Sequence, residues 1–282
     1  MRRLSILLAA AALVVAVAAP GAAVANSRPV EYLALGDSLA FGYNPNESPY
    51  DTAKFSGYPD PTNDMLGDTV TNLSCPGETS SHFIDLAGAD HGCGFWRFTA
   101  QAPLQYEYSG TQLAAADAFL KAHPKTQLIT IDMGANDIGA LRDSCTASYP
   151  TNPVPCFMDG LPATLATLSA NLDTIYSHIR VTDGYTHKLV ALTVYSNNYA
   201  DPLTTGAIMQ VNQVVTDRTL AWNGIVADGF GAFAAATAPF GGDTCAAGLL
   251  LPSTTGTGCD DHPSVAGRDL LAETTVKVLR AD

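Results

Sequence analysis

The sequence predicts an α/β protein: a parallel sheet covered by helices on both faces. Three observations carry this. Short, nearly continuous apolar runs rich in β-branched residues recur along the chain, as strands buried on both faces require. Stretches with apolar residues at three- and four-residue steps lie between them, as amphipathic helices require. Gly- and Pro-rich segments separate the two kinds, with no internal repeat and no low-complexity linker.

The chain has 282 residues, and the first 25 read as an export signal. Arg2 and Arg3 precede an apolar run over residues 4–19. Pro20 and Gly21 break it, and Ala23-Val24-Ala25 forms a small-x-small cleavage site. A retained membrane anchor is disfavoured, because the run is short for a span. Residues 26–282 suit one large domain with a full core. The predicted strands are residues 30–35 (VEYLAL), 69–75 (TVTNLSC), 126–134 (TQLITIDMG) and 187–195 (HKLVALTVY). The predicted helices cover 109–123, 161–181, 206–223 and 264–280. Segments 43–68, 88–108 and 143–160 are rich in Pro, Gly, Asn and Ser and read as long loops over one edge of the sheet.

Formal net charge is −13. Loss of Arg2 and Arg3 with the signal leaves 12 basic against 27 acidic residues, about −15. Such a surface repels nucleic acid and anionic headgroups, and no basic cluster offers a phosphate-tracking groove. No stable membrane insertion is expected, and a monomer is. Six cysteines follow the signal: Cys75, Cys93, Cys145, Cys156, Cys245 and Cys259. An even count in an exported chain reads as three disulfides, with 15 possible connectivities. Pairing of neighbours, Cys75–Cys93, Cys145–Cys156 and Cys245–Cys259, closes three local loops worth about 3 kcal/mol each. A zinc site is the weaker reading, because no CxxC occurs and no His stands at ligand spacing from a Cys pair.

In an open α/β sheet, ligands sit beyond the carboxyl ends of the strands. Gly36-Asp37-Ser38 follows the first strand, Cys75-Pro76-Gly77 the second and Gly134-Ala135-Asn136-Asp137 the third. Cys259-Asp260-Asp261-His262-Pro263 precedes the last helix. A serine at a strand-to-helix turn has free backbone N–H groups beside it. A Gly N–H and an Asn amide are accepted oxyanion donors, and an imidazole flanked by carboxylates can act as an oriented base. An isolated Gly-Asp-Ser is an ordinary turn, so the weight rests on these groups occurring together.

GDSLAFG, Gly77 after NLSCP, GAND and the late DHPS resemble, in order, the four sequence blocks of the SGNH/GDSL hydrolase family, and the six-cysteine layout is similar to its secreted, disulfide-bonded esterases and lipases. The resemblance implies a three-layer α/β/α, flavodoxin-like fold and hydrolysis of carboxylic esters, on a small-molecule or lipid substrate, without metal or organic cofactor. It implies Ser38 as nucleophile and His262 as general base, with the Ser38 N–H, the Gly77 N–H and the Asn136 amide as oxyanion hole. The unrelated G-x-S-x-G elbow is absent. One position departs from the family pattern. The triad Asp is expected three residues before His262, where Cys259 stands; Asp260, Asp261 or a backbone carbonyl is left to orient the imidazole, and Asp260 is the expected one.

Other chemistry-bearing residues receive plainer readings. Asp37 and Asp137 read as structural hydrogen-bonders, and His82, His91, His123, His178 and His187 as structural or surface. Phe95, Trp96 and Phe98 suit an acyl pocket or, more commonly for such clusters, core. The expected function is that of a secreted ester hydrolase. An acetyl-polysaccharide deacetylase on the same site is the alternative within the enzyme class. A non-catalytic secreted binding protein is the alternative outside it.

Overall fold

The computed structural model describes residues 30–281, so the expected export signal and cleavage site lie outside the described residues. The five strands of the main sheet are β1 (Glu31–Leu35), β2 (Thr69–Asn72), β3 (Leu128–Asp132), β4 (Lys188–Leu192) and β5 (Ile225–Ala227). All pairs are parallel, in the order β2-β1-β3-β4-β5. The strand order reverses between β1 and β3, which opens a crevice at their carboxyl ends.

Strand side chains alternate between two cores, because successive residues point to opposite faces. Leu33, Leu35, Ile129, Ile131, Leu189 and Ala191 face one core. It is completed by helices α4 (Gln112–Ala122), α6 (Val154–Ser177) and α7 (Pro202–Ala221) through Leu120, Leu172 and Val211. Tyr32, Ala34, Leu128, Val190 and Leu192 face the other. There α8 (Gly229–Thr237) and α9 (Val265–Ala281) supply Phe233, Leu271 and Ala272. The result is the three-layer α/β/α fold with a flavodoxin-like sheet that the resemblance implied. Among the described residues, no helix is long and apolar enough to cross a membrane.

Several segments differ from the sequence expectations. The segment 143–160 is mostly helix: α5 (Ala135–Ser148) runs into it, and α6 begins at Val154, after Pro153. Pro is tolerated where a helix starts, because the missing N–H there has no partner to lose. The segment 43–68 contains α2 (Pro59–Leu66), entered at a proline in the same way. β5 has only three residues, too short for a pattern. A two-stranded antiparallel hairpin, β6 (Leu250–Pro252) with β7 (Cys259–Pro263), stands apart from the main sheet. The disulfides are Cys75–Cys93, Cys145–Cys156 and Cys245–Cys259, the neighbouring pairs expected. The second ties α5 to α6, and the third anchors β7.

Candidate active site

Ser38 opens the four-residue helix α1 (Ser38–Phe41) directly beyond β1. Asp37 caps it, its carboxyl accepting from the Leu39 N–H at 2.9 Å. The turn is held from behind by Gln112. Its amide takes the Gly36 N–H at 2.7 Å and donates to the Gly36 carbonyl at 3.0 Å, as a strand partner would. Gln112 also donates to Glu78 at 3.1 Å, and Glu78 pairs with His82 Nδ1 at 2.6 Å, all of it buried. Burial raises the Glu78 carboxyl, and the hydrogen bond to Glu78 raises His82. Both shifts keep a proton on the pair.

Gly77 lies in a left-handed turn at φ 77°, and a Cβ there would sit 2.6 Å from the His91 carbonyl oxygen. Only glycine fits that turn and that approach. Its N–H has no partner among the described residues. Asn136 stands in the first turn of α5, beyond β3. Its Nδ2 donates to Asp37 Oδ2 at 3.0 Å, which leaves one amide hydrogen for the crevice. Asp137 turns away and accepts from the Ser80 N–H and hydroxyl at 3.1 and 2.5 Å, the structural role expected of it.

His262 arrives on β7. Asp260 Oδ1 lies 2.5 Å from His262 Nδ1 and also accepts the His262 backbone N–H at 3.0 Å. Burial pushes the Asp260 carboxyl up, but the hydrogen bond and charge of His262 outweigh it and hold it below its ordinary value. Asp261 points the other way: its carboxylate accepts from Asn197 at 2.6 Å, and its carbonyl accepts the Tyr195 hydroxyl at 2.6 Å. These two bonds dock β7 against the loop after β4. The Tyr43 ring meets the His262 ring edge-on at 4.8 Å.

Two cavities meet at this point, and Ser38, His91, Asn136 and His262 line both. The first, about 320 Å³, runs between α5, α6 and α7 and is lined by Ile138, Phe157, Leu203, Ala207 and Ile208 among others. The second, about 380 Å³, is lined by Tyr43, Gly77, Phe95 and Trp96 among others. Trp96 is also core, packed against Phe41 and Phe55, whereas Phe98 is exposed.

The family model described as "GDSL-like Lipase/Acylhydrolase family" matches residues 34–270. The chain belongs to the GDSL-like lipase/acylhydrolase family. Its fold is shared with solved structures. A phospholipase A1 from Streptomyces albidoflavus NA297 superposes with TM-score 0.57 at 19% identity over 90% of this chain and 99% of that one. An extracellular lipase from Streptomyces rimosus gives 0.54 at 18% identity, over 89% and 99%. An acetylxylan esterase from Geobacillus stearothermophilus gives 0.51 at 16%, over 89% and 94%. No curated protein sequence matches the chain.

For this member of the GDSL-like family, the structure brings Ser38, Gly77, Asn136, Asp260 and His262 to one crevice. It sets Cys259 in a disulfide, away from the imidazole. Sequence reading missed four residues that contact these segments: Gln112, Tyr195, Asn197 and His91, whose Nδ1 lies 2.8 Å from Asn136 Oδ1. The first three act through contacts between residues 64 to 76 positions apart, which carry no local pattern. Among the described residues, the one three-residue grouping with metal-ligand geometry is Cys75, Glu78 and Cys93. Both its sulfurs are in a disulfide, so it offers no thiolate.

Proposed function

We propose that the protein is an exported serine ester hydrolase with Ser38 as nucleophile. Ser38 Oγ bonds to the ester carbonyl carbon as its proton passes to His262 Nε2. The tetrahedral oxyanion is held by the N–H groups of Ser38 and Gly77 and the amide of Asn136. Collapse breaks the bond to the alcohol, which takes the proton from His262, and water then releases the acid by the same steps. Asp260 orients the imidazole and stabilises its charged form.

The observation that carries this is the binding of His262 Nδ1 to Asp260, which leaves Nε2 without a partner among the described residues, in cavities that Ser38 also lines. The apolar cavity extends the reading to substrate. At about 320 Å³ it has the size of a small-molecule binding cleft. An acetyl group would leave most of it empty, so a hydrocarbon acyl chain is the better occupant and the deacetylase alternative is disfavoured. Export is supported by three disulfides, which persist in oxidising compartments.

The test is turnover of p-nitrophenyl esters from acetate to palmitate, beside a Ser38→Ala control. Activity rising from acetate to a medium-chain ester and lost in Ser38→Ala is the expected result. Folded protein without turnover on any ester, or an active Ser38→Ala, refutes it.

A further inference from the structure

His91 is the one histidine besides His262 that lines both cavities. Its Nδ1 lies 2.8 Å from Asn136 Oδ1, and its Nε2 lies 3.0 Å from Asp143 Oδ2. The direction of the first bond follows from the amide. Asn136 turns its NH₂ end to the Asp37 carboxyl, so its oxygen faces His91, and His91 Nδ1 must be the donor. Asn136 is therefore gripped at both ends. One amide hydrogen is taken by Asp37, and the rotation that would move the other out of the crevice costs the His91 bond.

Three further features hold His91 there. Gly139 lies inside α5, where glycine is less favourable than alanine. A Cβ at that position would sit 2.7 Å from His91 Cε1, so the helix leaves this space to the ring. Asp143, one turn further along α5, takes the far nitrogen. The segment carrying His91 is tied by Cys75–Cys93 to the loop of Gly77, and a Gly77 Cβ would meet the His91 carbonyl oxygen and the Gly92 Cα at 2.6 and 2.7 Å. One short segment thus backs Gly77 with its main chain and Asn136 with its side chain.

We propose that His91 is a positioning residue of the oxyanion hole, holding the Asn136 amide in the orientation that stabilises the developing oxyanion. This rests on the reading of Asn136 as an oxyanion donor. Among the described residues, the hydrogen bonds of the His91 ring go to Asn136 and Asp143 and not to Ser38 or His262, so its effect passes through Asn136. Its contribution falls on the transition state, where the oxyanion forms, so it belongs to kcat and leaves KM nearly untouched.

The experiment is a double-mutant cycle on p-nitrophenyl octanoate, with kcat and KM measured for the wild type, His91→Ala, Asn136→Ala and the double variant. Loss of an oxyanion donor costs about 100- to 1000-fold in rate. His91→Ala is expected to lower kcat about 10- to 100-fold with KM within about twofold, and the double variant to be no slower than Asn136→Ala alone. His91→Gln, whose amide can donate to Asn136, is expected to restore most of the rate. Gly139→Ala provides a second route. It removes no hydrogen-bonding group but displaces the ring, and it should lower kcat several-fold in the wild type and not in Asn136→Ala. A wild-type kcat for His91→Ala beside a crippled Asn136→Ala overturns the inference alone, as do losses that multiply in the double variant. A fully active Asn136→Ala overturns the oxyanion reading and the inference with it.

Discussion

Asp260 Oδ1 lies 2.5 Å from His262 Nδ1 across a two-residue step of β7. The strand makes this contact possible. Residues i and i+2 of an extended chain share a face, so Asp260 stands beside His262 while Cys259 and Asp261 fall on the other side. The disulfide of Cys259 and the bond from Asn197 to the Asp261 carboxylate use that other side to fix the strand, and the Tyr195 hydroxyl holds its main chain at the Asp261 carbonyl. A carboxylate three positions before the histidine would have belonged to the wrong face. The departure from the family spacing is thus the spacing a strand requires.

The two aspartates should separate in activity. Asp260→Ala is expected to lower kcat roughly 100-fold or more, since the imidazole loses both its orientation and its counter-charge. Asp261→Ala should stay within about tenfold, because its carboxylate docks β7 without touching His262. Steady-state kinetics on one ester checks both. Equal losses would show that strand docking, not the carboxylate contact, is what matters.

Ala207 lines the apolar cavity from α7 and is almost fully buried. Ala207→Phe should fill part of the acyl space and shift preference toward shorter chains. One excluded methylene is worth about 1–3 kcal/mol, so kcat/KM for octanoate relative to butyrate should fall at least tenfold. Overpacking costs about 1–3 kcal/mol, so the melting temperature is measured alongside. An unchanged chain-length profile would place the acyl group in the other cavity.

Asp37 and Asp132 lie together, buried, beneath the Ser38 turn, with the Asp37 N–H donating to Asp132 Oδ2 at 3.2 Å. Burial raises both carboxyls, and the charge of Asp132 raises Asp37 further, to well above the ordinary carboxylate range. With both values raised, the folded state holds more protons than the unfolded chain above about pH 4. The stability this confers is complete below that pH and is lost as pH rises through the folded values. Asp132→Asn keeps the acceptor for Asp37 and removes one titrating group. Its melting temperature should decline less between pH 4 and 9 than that of the wild type. Parallel curves would show that the pair does not titrate on unfolding.

Cys245–Cys259 ties β7, the strand of His262, to the turn before β6. Replacing both cysteines by alanine should cost about 3 kcal/mol for a loop of this length. It should also lower kcat, because β7 then keeps only noncovalent contacts, among them its hairpin, the Asp261 bonds and the Tyr43 ring against His262. Denaturant unfolding and single-ester kinetics, measured together, check this. A stability loss with unchanged kcat would mean that those contacts alone hold His262.

Local signals determined much of this protein. Apolar runs revealed β1, β3 and β4 because each is buried on both faces, the partly exposed edge strand β2 gave a weaker run, and four helices showed their period. Neighbouring cysteines paired because short loops close most readily. Ser38, Gly77, Asn136 and His262 could be named because each follows a strand or precedes a helix in a recognisable block. Element ends and short elements were less legible. β5 and the hairpin are too short for a period, and the prolines of 143–160 mark a helix start as well as a loop. Only the tertiary structure shows which aspartate contacts the His262 ring, since that depends on which face of β7 each side chain takes. It alone revealed Gln112 behind Gly36 and His91 on Asn136. Those contacts join residues 76 and 45 positions apart, and a hydrogen bond between distant residues leaves no period in the chain.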